Sequence, residues 1–350
     1  MFHKLSDTTT RALADDNLLP SVAVKPSRIA LVYAALLLAA LAVLALSLLS
    51  GSVALSPGQL WSGLSGPDDS LARSVLLDLR LPRALTAFAA GGALAIAGVL
   101  MQVLLRNPLA DPFVMGISGG AAVAALSAML LGLAGFAVDA AATVGALATT
   151  VLVFALAHRE GGWTPARLLL TGIVVAAGAS AAVSMLLALG NESQLRGMLF
   201  WLMGDLSLGS RPGPLLAVFA IAFAVTLPFA RHLNVLARGD IQARTLGAPV
   251  RGTRIGIFVA SSVLTAATVT TAGPIGFVGL VTPHLVRLLV GSNHRLVLPA
   301  AALLGGTVVM VADLGARTLF APRQLPVGAL TAIAGVPLFL ALMRRGAGKS

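Results

Sequence analysis

The sequence predicts an all-α integral membrane protein of about ten transmembrane helices. Three features of its composition lead there: 57% of the 350 residues are hydrophobic, only 11% are charged, and the mean hydropathy is +0.94. No soluble domain of ordinary make-up has that balance. A helix needs about 20 apolar residues to cross a hydrocarbon core of roughly 30 Å, so this length accommodates roughly nine to eleven spans and little else. The chain has no cysteine, which excludes disulfides, thiolate metal sites and cysteine nucleophiles.

Windows of about 19 residues place the spans, in order, at 29–49, 84–105, 114–133, 138–157, 168–189, 215–228, 255–271, 277–290, 297–311 and 327–343. The third, sixth and eighth are the weakest. Gly116, Gly119 and Gly120 interrupt the third, Pro228 ends the sixth early, and Pro283 with His284 interrupts the eighth. Broken helices at membrane depth survive only where protein or a water-filled cavity satisfies the freed backbone groups, so these breaks point to a transport path. Residues 1–28 read as a cytoplasmic tail without a signal-peptide pattern, 29–343 as the ten-helix membrane domain, and 344–350 as a second tail.

Lys and Arg number 24 against 13 Asp and Glu. In a soluble protein that excess suggests nucleic acid, but here the basic residues lie between apolar segments and read as topology signals, with no nucleic-acid partner. With the N-terminus inside, seventeen of the 24 fall on the cytoplasmic side, among them Arg106, Arg167, Arg231, Arg238, Arg244, Arg251, Arg254, Arg287 and Arg295. The positive-inside bias therefore puts both termini in the cytoplasm.

Motifs follow one another along the chain: Arg80-Leu-Pro-Arg83, the Gly-rich stretch Gly91 to Gly98, Gln102, Arg106-Asn-Pro-Leu-Ala-Asp-Pro112, Arg167-Leu-Leu-Leu-Thr-Gly172, Trp201-Leu-Met-Gly204, Asp240-Ile-Gln-Ala-Arg-Thr-Leu-Gly247, Gly273 to His284, His294-Arg295 and Leu325-Pro-Val-Gly328. From about residue 29 to the C-terminus this series closely resembles the FecCD-type permeases of ABC importers, bacterial proteins that import ferric siderophores, haem and vitamin B12. The resemblance implies a type II ABC importer permease architecture. In it an inverted repeat relates helices two to five to helices seven to ten, and two permeases pair as a homodimer around the pathway. It also implies two copies of an ABC ATPase subunit, a periplasmic substrate-binding protein, and a place in the bacterial inner membrane.

Candidate site residues form three groups. Arg80, Arg83 and Arg317 lie at the outer mouth, where guanidinium forks match carboxylates; the resemblance makes them the dock for glutamates of the binding protein, against a plainer reading as headgroup anchors. The loop 231–254 carries Asp240, Gln242, Ala243, Arg244, Leu246 and Gly247. Gly247 followed by Pro249 is a helix stop, and the resemblance makes this run the coupling element pressed into the ATPase. Asn107, Pro108 and Leu109 close the second span and Thr164, Pro165 and Ala166 open the fifth; the resemblance makes them a cytoplasmic gate, although they are also ordinary turn chemistry.

No histidine is expected at mid-membrane: His3, His158, His232, His284 and His294 fall in the tail, loops or helix ends, so haem ligation by this chain has little support. Gly346-Ala-Gly-Lys349-Ser350 mimics the end of a phosphate-binding loop but lacks its first glycine, strand and helix. The chain is thus expected to be a transport subunit and not an enzyme, with no cofactor or metal of its own and with ATP and Mg on the partner ATPase. Its expected cargo is an iron chelate, haem or a ferric siderophore, with cobalamin as the alternative. From another class stands an ion-coupled secondary transporter, disfavoured because Asp139, Glu192, Asp205 and Asp313 make no continuous acid chain.

Overall fold

The computed structural model describes residues 25–51, 58, 71–158, 164–206 and 212–347, and every regular element among them is helical. Helix α1 (Pro26–Leu49) starts on a proline, whose missing N–H costs nothing in a first turn. It is apolar all round, with only 6% of its central window buried, as suits a helix whose solvent is lipid.

Helix α2 (Leu81–Leu105) continues a short turn Leu71–Ser74 and a π-helical segment Val75–Arg80. It is the axis of the fold, buried along nearly all its length. Glycine makes that possible. A Cβ on Gly91 would collide with the Gly305 carbonyl, and one on Gly98 with the Gly279 carbonyl, so backbones approach where side chains would hold them apart. Without a hydrophobic drive between helices in lipid, such small-residue crossings supply the packing.

A 3₁₀ turn Pro112–Met115 leads to Gly116 at φ 71° and into α3 (Ile117–Leu130). Next come α4 (Phe136–Ala157) and α5 (Pro165–Leu189). Helix α6 (Glu192–Met203) lies in a stretch the hydropathy leaves as loop. Its start is a capping box between Asn191 and Gln194, and Gln194 Nε2 also donates to the carbonyls of Met129 and Leu130 at 3.1 Å each, fixing α6 to the end of α3. Helices α7 (Pro212–Thr226) and α8 (Ala230–Ala237) form one bent unit with a 67° break, after which come α9 (Asp240–Thr245), α10 (Val250–Ala272), α11 (Val278–Val290), α12 (His294–Thr318) and α13 (Val327–Ala347).

Among the described residues six helices are long and apolar enough to cross a membrane, α7 with α8 makes a bent seventh, and α3, α11 and the apolar part of α13 are shorter. These ten segments are the expected ten. The third and eighth are among the short ones and the sixth is the bent pair, so the three weakest windows are the irregular spans, joined by the tenth. One break differs: Pro283 is accommodated inside α11, so His284 is a mid-helix residue and not a helix end, and the chain turns instead at Phe277, φ 67°. Helix α1 begins three residues before the expected span and α13 runs to Ala347, because caps and not hydropathy end a helix. The expected N-terminal tail lies, up to residue 24, outside the described residues.

The two halves repeat one another. A long helix (α2, α10), a left-handed break (Gly116, Phe277) and a half-length helix (α3, α11) occur in the same order twice. They run in opposite senses: Asp240 meets Arg106 just past the C-terminus of α2 and Arg254 in the first turns of α10.

Candidate functional site

At one end of α2 the three outer arginines converge; Arg80 and Arg83 are buried and Arg317 is half-buried. Asp313, 1% exposed on α12, accepts a hydrogen bond from Arg83 Nε at 2.8 Å, with Nη2 in ionic contact at 2.8 Å. Arg317 Nε donates to its other oxygen at 3.1 Å. Arg83 Nη1 also reaches Gln324 at 3.3 Å. Arg80 turns to α1, its Nη1 donating to the carbonyls of Leu48 and Leu49 at 2.6 and 3.0 Å. Those carbonyls end a helix and have no partner within it, and the helix dipole favours a cation there. The structure brings together the three arginines the sequence singles out and adds the partners no motif shows: Arg80, Arg83 and Arg317 brace α1, α2 and α12.

At the opposite end α8, packed on the body through the buried Leu233 and Leu236, is followed by α9; Gly239 at φ 121° separates the two and Gly247 at φ 73° closes α9. Both dihedrals are in territory that glycine occupies at no steric cost. Ala243 is buried and holds α9 against the body, while Gln242, Arg244, Leu246 and Gly247 are exposed. Asp240 faces inward. Its Oδ2 accepts from Arg254 Nη2 at 2.6 Å and its Oδ1 is paired with Arg106, whose own backbone is left-handed at φ 50°. Ile241, absent from the sequence-derived set, is 81% exposed beside Leu246 at 67%.

The gate residues divide. Asn107 Oδ1 accepts from the Leu109 N–H at 2.9 Å, an Asx turn, and Leu109 is 41% exposed. Thr164 caps α5, its hydroxyl accepting from the Arg167 N–H at 3.3 Å, with Pro165 in the first helical turn and Ala166 exposed. Asn107 and Pro108 line a cleft of about 750 Å³ that Thr164, Pro165 and Ala166 do not reach.

The FecCD transport family model matches residues 36–345. The chain belongs to the FecCD transport family. It is 40% identical to the hemin transport system permease protein HmuU of Yersinia pestis over 303 residues, 84% of this chain and 90% of that one. It is 42% identical over 277 residues to the cobalamin import system permease protein BtuC of Halobacterium salinarum, 78% of this chain and 74% of that one. A solved metal-chelate type ABC transporter in an inward-facing conformation superposes with a TM-score of 0.79 at 31% identity, covering 90% of this chain and 99% of that one.

As a FecCD permease the chain is the membrane subunit of an ABC importer, a class that works with an ATPase and a substrate-binding protein and has no ATPase site of its own. Two features of this FecCD permease escape the sequence reading. The first is the cleft itself, bounded by Gln102, Arg287, Asn234 and His294. Gln102 accepts from Arg287 and donates to the Leu280 carbonyl at 3.2 Å. The second is Asp111, whose carboxylate caps the 3₁₀ turn by accepting from Phe113 N at 2.8 Å. Burial pushes its pKa up to about 6, against the opposing pull of that N–H. Among the described residues no three His, Cys, Asp or Glu side chains gather to hold a metal ion.

Proposed function

We propose that this permease carries an iron chelate, haem or a ferric siderophore, from the periplasm to the cytoplasm as a homodimer driven by two ATPase subunits. The observation that carries the reading is the α8–α9 element. Its second helix, α9, and the residue that ends it present bare Ile241 and Leu246, held from behind by Asp240, on a chain whose family works with ATPases. In this reading α9 enters a groove of the ATPase, both termini are cytoplasmic, and the gate lies at Asn107, Pro108 and Leu109 with Thr164, Pro165 and Ala166. Helix α5 supports the dimer: Leu168 and Gly172 are its only buried residues, so a long apolar face remains for the second copy and the pathway.

The arginine cluster faces the binding protein. Arg83 and Arg317 share the single carboxylate of Asp313, so this trio carries a net positive charge, which supports docking of acidic side chains. Docked carboxylates compete for guanidinium N–H groups already in use, so loading there is felt by α1, α2 and α12 together.

The printed functions of relatives, hemin in one and cobalamin in another, keep cobalamin import as the second reading. The test is reconstitution with the ATPase and binding protein in vesicles, followed by ATP-dependent uptake of haem, a ferric siderophore and cobalamin side by side. Uptake of an iron chelate alone sustains the reading, and cobalamin alone replaces it. Transport driven by an ion gradient with no ATPase bound overturns the importer mechanism.

A further inference from the structure

The cleft at the α9 end is basic. Among the described residues its wall holds Arg106, Arg238 and Arg287 and no Asp or Glu. Arg287 is bonded to a neutral partner, Gln102, and Arg106 shares Asp240 with Arg254. The volume, about 750 Å³, is that of a small-molecule site.

His294, also in the wall and 4% exposed, adds a second requirement. Asn234 Oδ1 accepts from the His294 backbone N–H at 2.8 Å, and Asn234 Nδ2 donates to Asn293 at 3.0 Å, which fixes the amide orientation. His294 Nδ1, 2.7 Å from that same oxygen, must then carry the proton. Nε2 is left as a bare acceptor, buried and without a hydrogen-bond partner. A buried acceptor left unpaired is costly, and a donor that reaches it as the wall adjusts on binding relieves that cost.

The apolar part of the wall includes Ile29 of α1 and Leu296 of α12. Because only 6% of the apolar window of α1 is buried, the cleft opens beside a helix with a long lipid-facing surface. Basic pockets between membrane helices on the cytoplasmic side are suited to acidic headgroups.

We propose that this cleft binds a phosphate that also carries a hydroxyl, supplied as the glycerol-phosphate headgroup of an acidic phospholipid. The arginines take the phosphate oxygens, a hydroxyl donates to His294 Nε2, and the first carbons of the lipid lie on Ile29 and Leu296. The cleft shares Asn107 and Pro108 with the proposed gate, and the transport reading decides which leaflet supplies the lipid.

The test uses the full chain in a non-ionic detergent, read by native mass spectrometry and by the thermal midpoint, with three probes: phosphatidylglycerol, phosphatidylcholine and inorganic phosphate. Two variants accompany it. Ser292→Asp adds a negative charge on an exposed wall residue in a turn, and Arg238→Gln removes an exposed positive one. The expected result is retention of phosphatidylglycerol over phosphatidylcholine, weakened about fivefold or more by each variant, with thermal midpoints of the lipid-free proteins unchanged. A midpoint raised by inorganic phosphate, without retention of phosphatidylglycerol and lost in Ser292→Asp, keeps the phosphate site and makes its source free phosphate. Equal retention of the two lipids, binding untouched by Ser292→Asp, or no response to any probe overturns the proposal.

Discussion

Arg83 and Asp313, 230 residues apart in the chain, meet at 2.8 Å where α2 and α12 end, and Asp313 answers to Arg317 as well. A carboxylate so enclosed is tolerable only because both its oxygens are paired, and removing one partner of such a pair costs about 3–5 kcal/mol. Asp313→Ala strands two guanidinia and Arg83→Ala leaves the acid one arginine. Thermal unfolding in detergent should therefore rank Asp313→Ala as more damaging than Arg83→Ala. The reverse order would mean that Arg317 does not depend on Asp313.

Glycine crossings give a second expectation. Gly98→Ala drives a methyl group into the Gly279 carbonyl, whereas Gly178→Ala on α5 meets nothing within 4 Å. Backbone against backbone cannot yield as a side-chain tip can, so Gly98→Ala should lose at least about 1–3 kcal/mol. Gly178→Ala, a neutral or slightly helix-favouring change, should leave the unfolding midpoint where it is.

Coupling is testable at two neighbours with opposite roles. Ile241 is bare and Asp240 faces inward. Ile241→Asp should weaken pull-down of the ATPase by about tenfold or more, the scale of a lost apolar anchor, without altering the unfolding midpoint of the permease alone. Asp240→Ala should lower that midpoint and also reduce transport-linked ATP hydrolysis. Equal effects of the two changes on both readouts would erase the distinction between contact and brace.

Asp111 sets a pH dependence. Its pKa of about 6 in the fold lies above the ordinary 3.8, so the folded state binds more protons than the unfolded chain, and stability contributed by this group falls as pH rises through that window. Asn keeps the capping oxygen and carries no charge. Asp111→Asn should match the parent protein near pH 4 and exceed it, by on the order of 1 kcal/mol, above pH 6. A stability gap that is the same at both pH values would show that the carboxylate is not held in its proton-bound form.

Much of this was legible before the fold was known, for physical reasons. Long apolar runs announce spans, and Gly116 and Gly247 announce turns, because lipid and φ > 0 leave few alternatives. Partnership was not legible. Nothing local in Arg80-Leu-Pro-Arg83 says that Arg80 turns to the carbonyls of Leu48 and Leu49 while Arg83 turns to Asp313, since those partners arrive from other helices. Helix α6 was missed by hydropathy although Asn191 and Gln194 spell a capping box, and the break at Phe277 had no signal because a bulky residue rarely adopts a left-handed backbone. The cleft beside His294 gathers residues from α1, α2, α8 and the α11–α12 turn, a convergence no single window contains.

Helix α2 is pinned near both ends, by Asp313 at Arg83 and by Asp240 at Arg106, and sheathed in between by backbone contacts at Gly91 and Gly98. A rod clamped in this way can shift or tilt but has no slack in which to bend. Load placed on either face of the membrane reaches the other through one unbroken member, and the amides of α2 should be the last in the protein to exchange with deuterium while those of α1 exchange early.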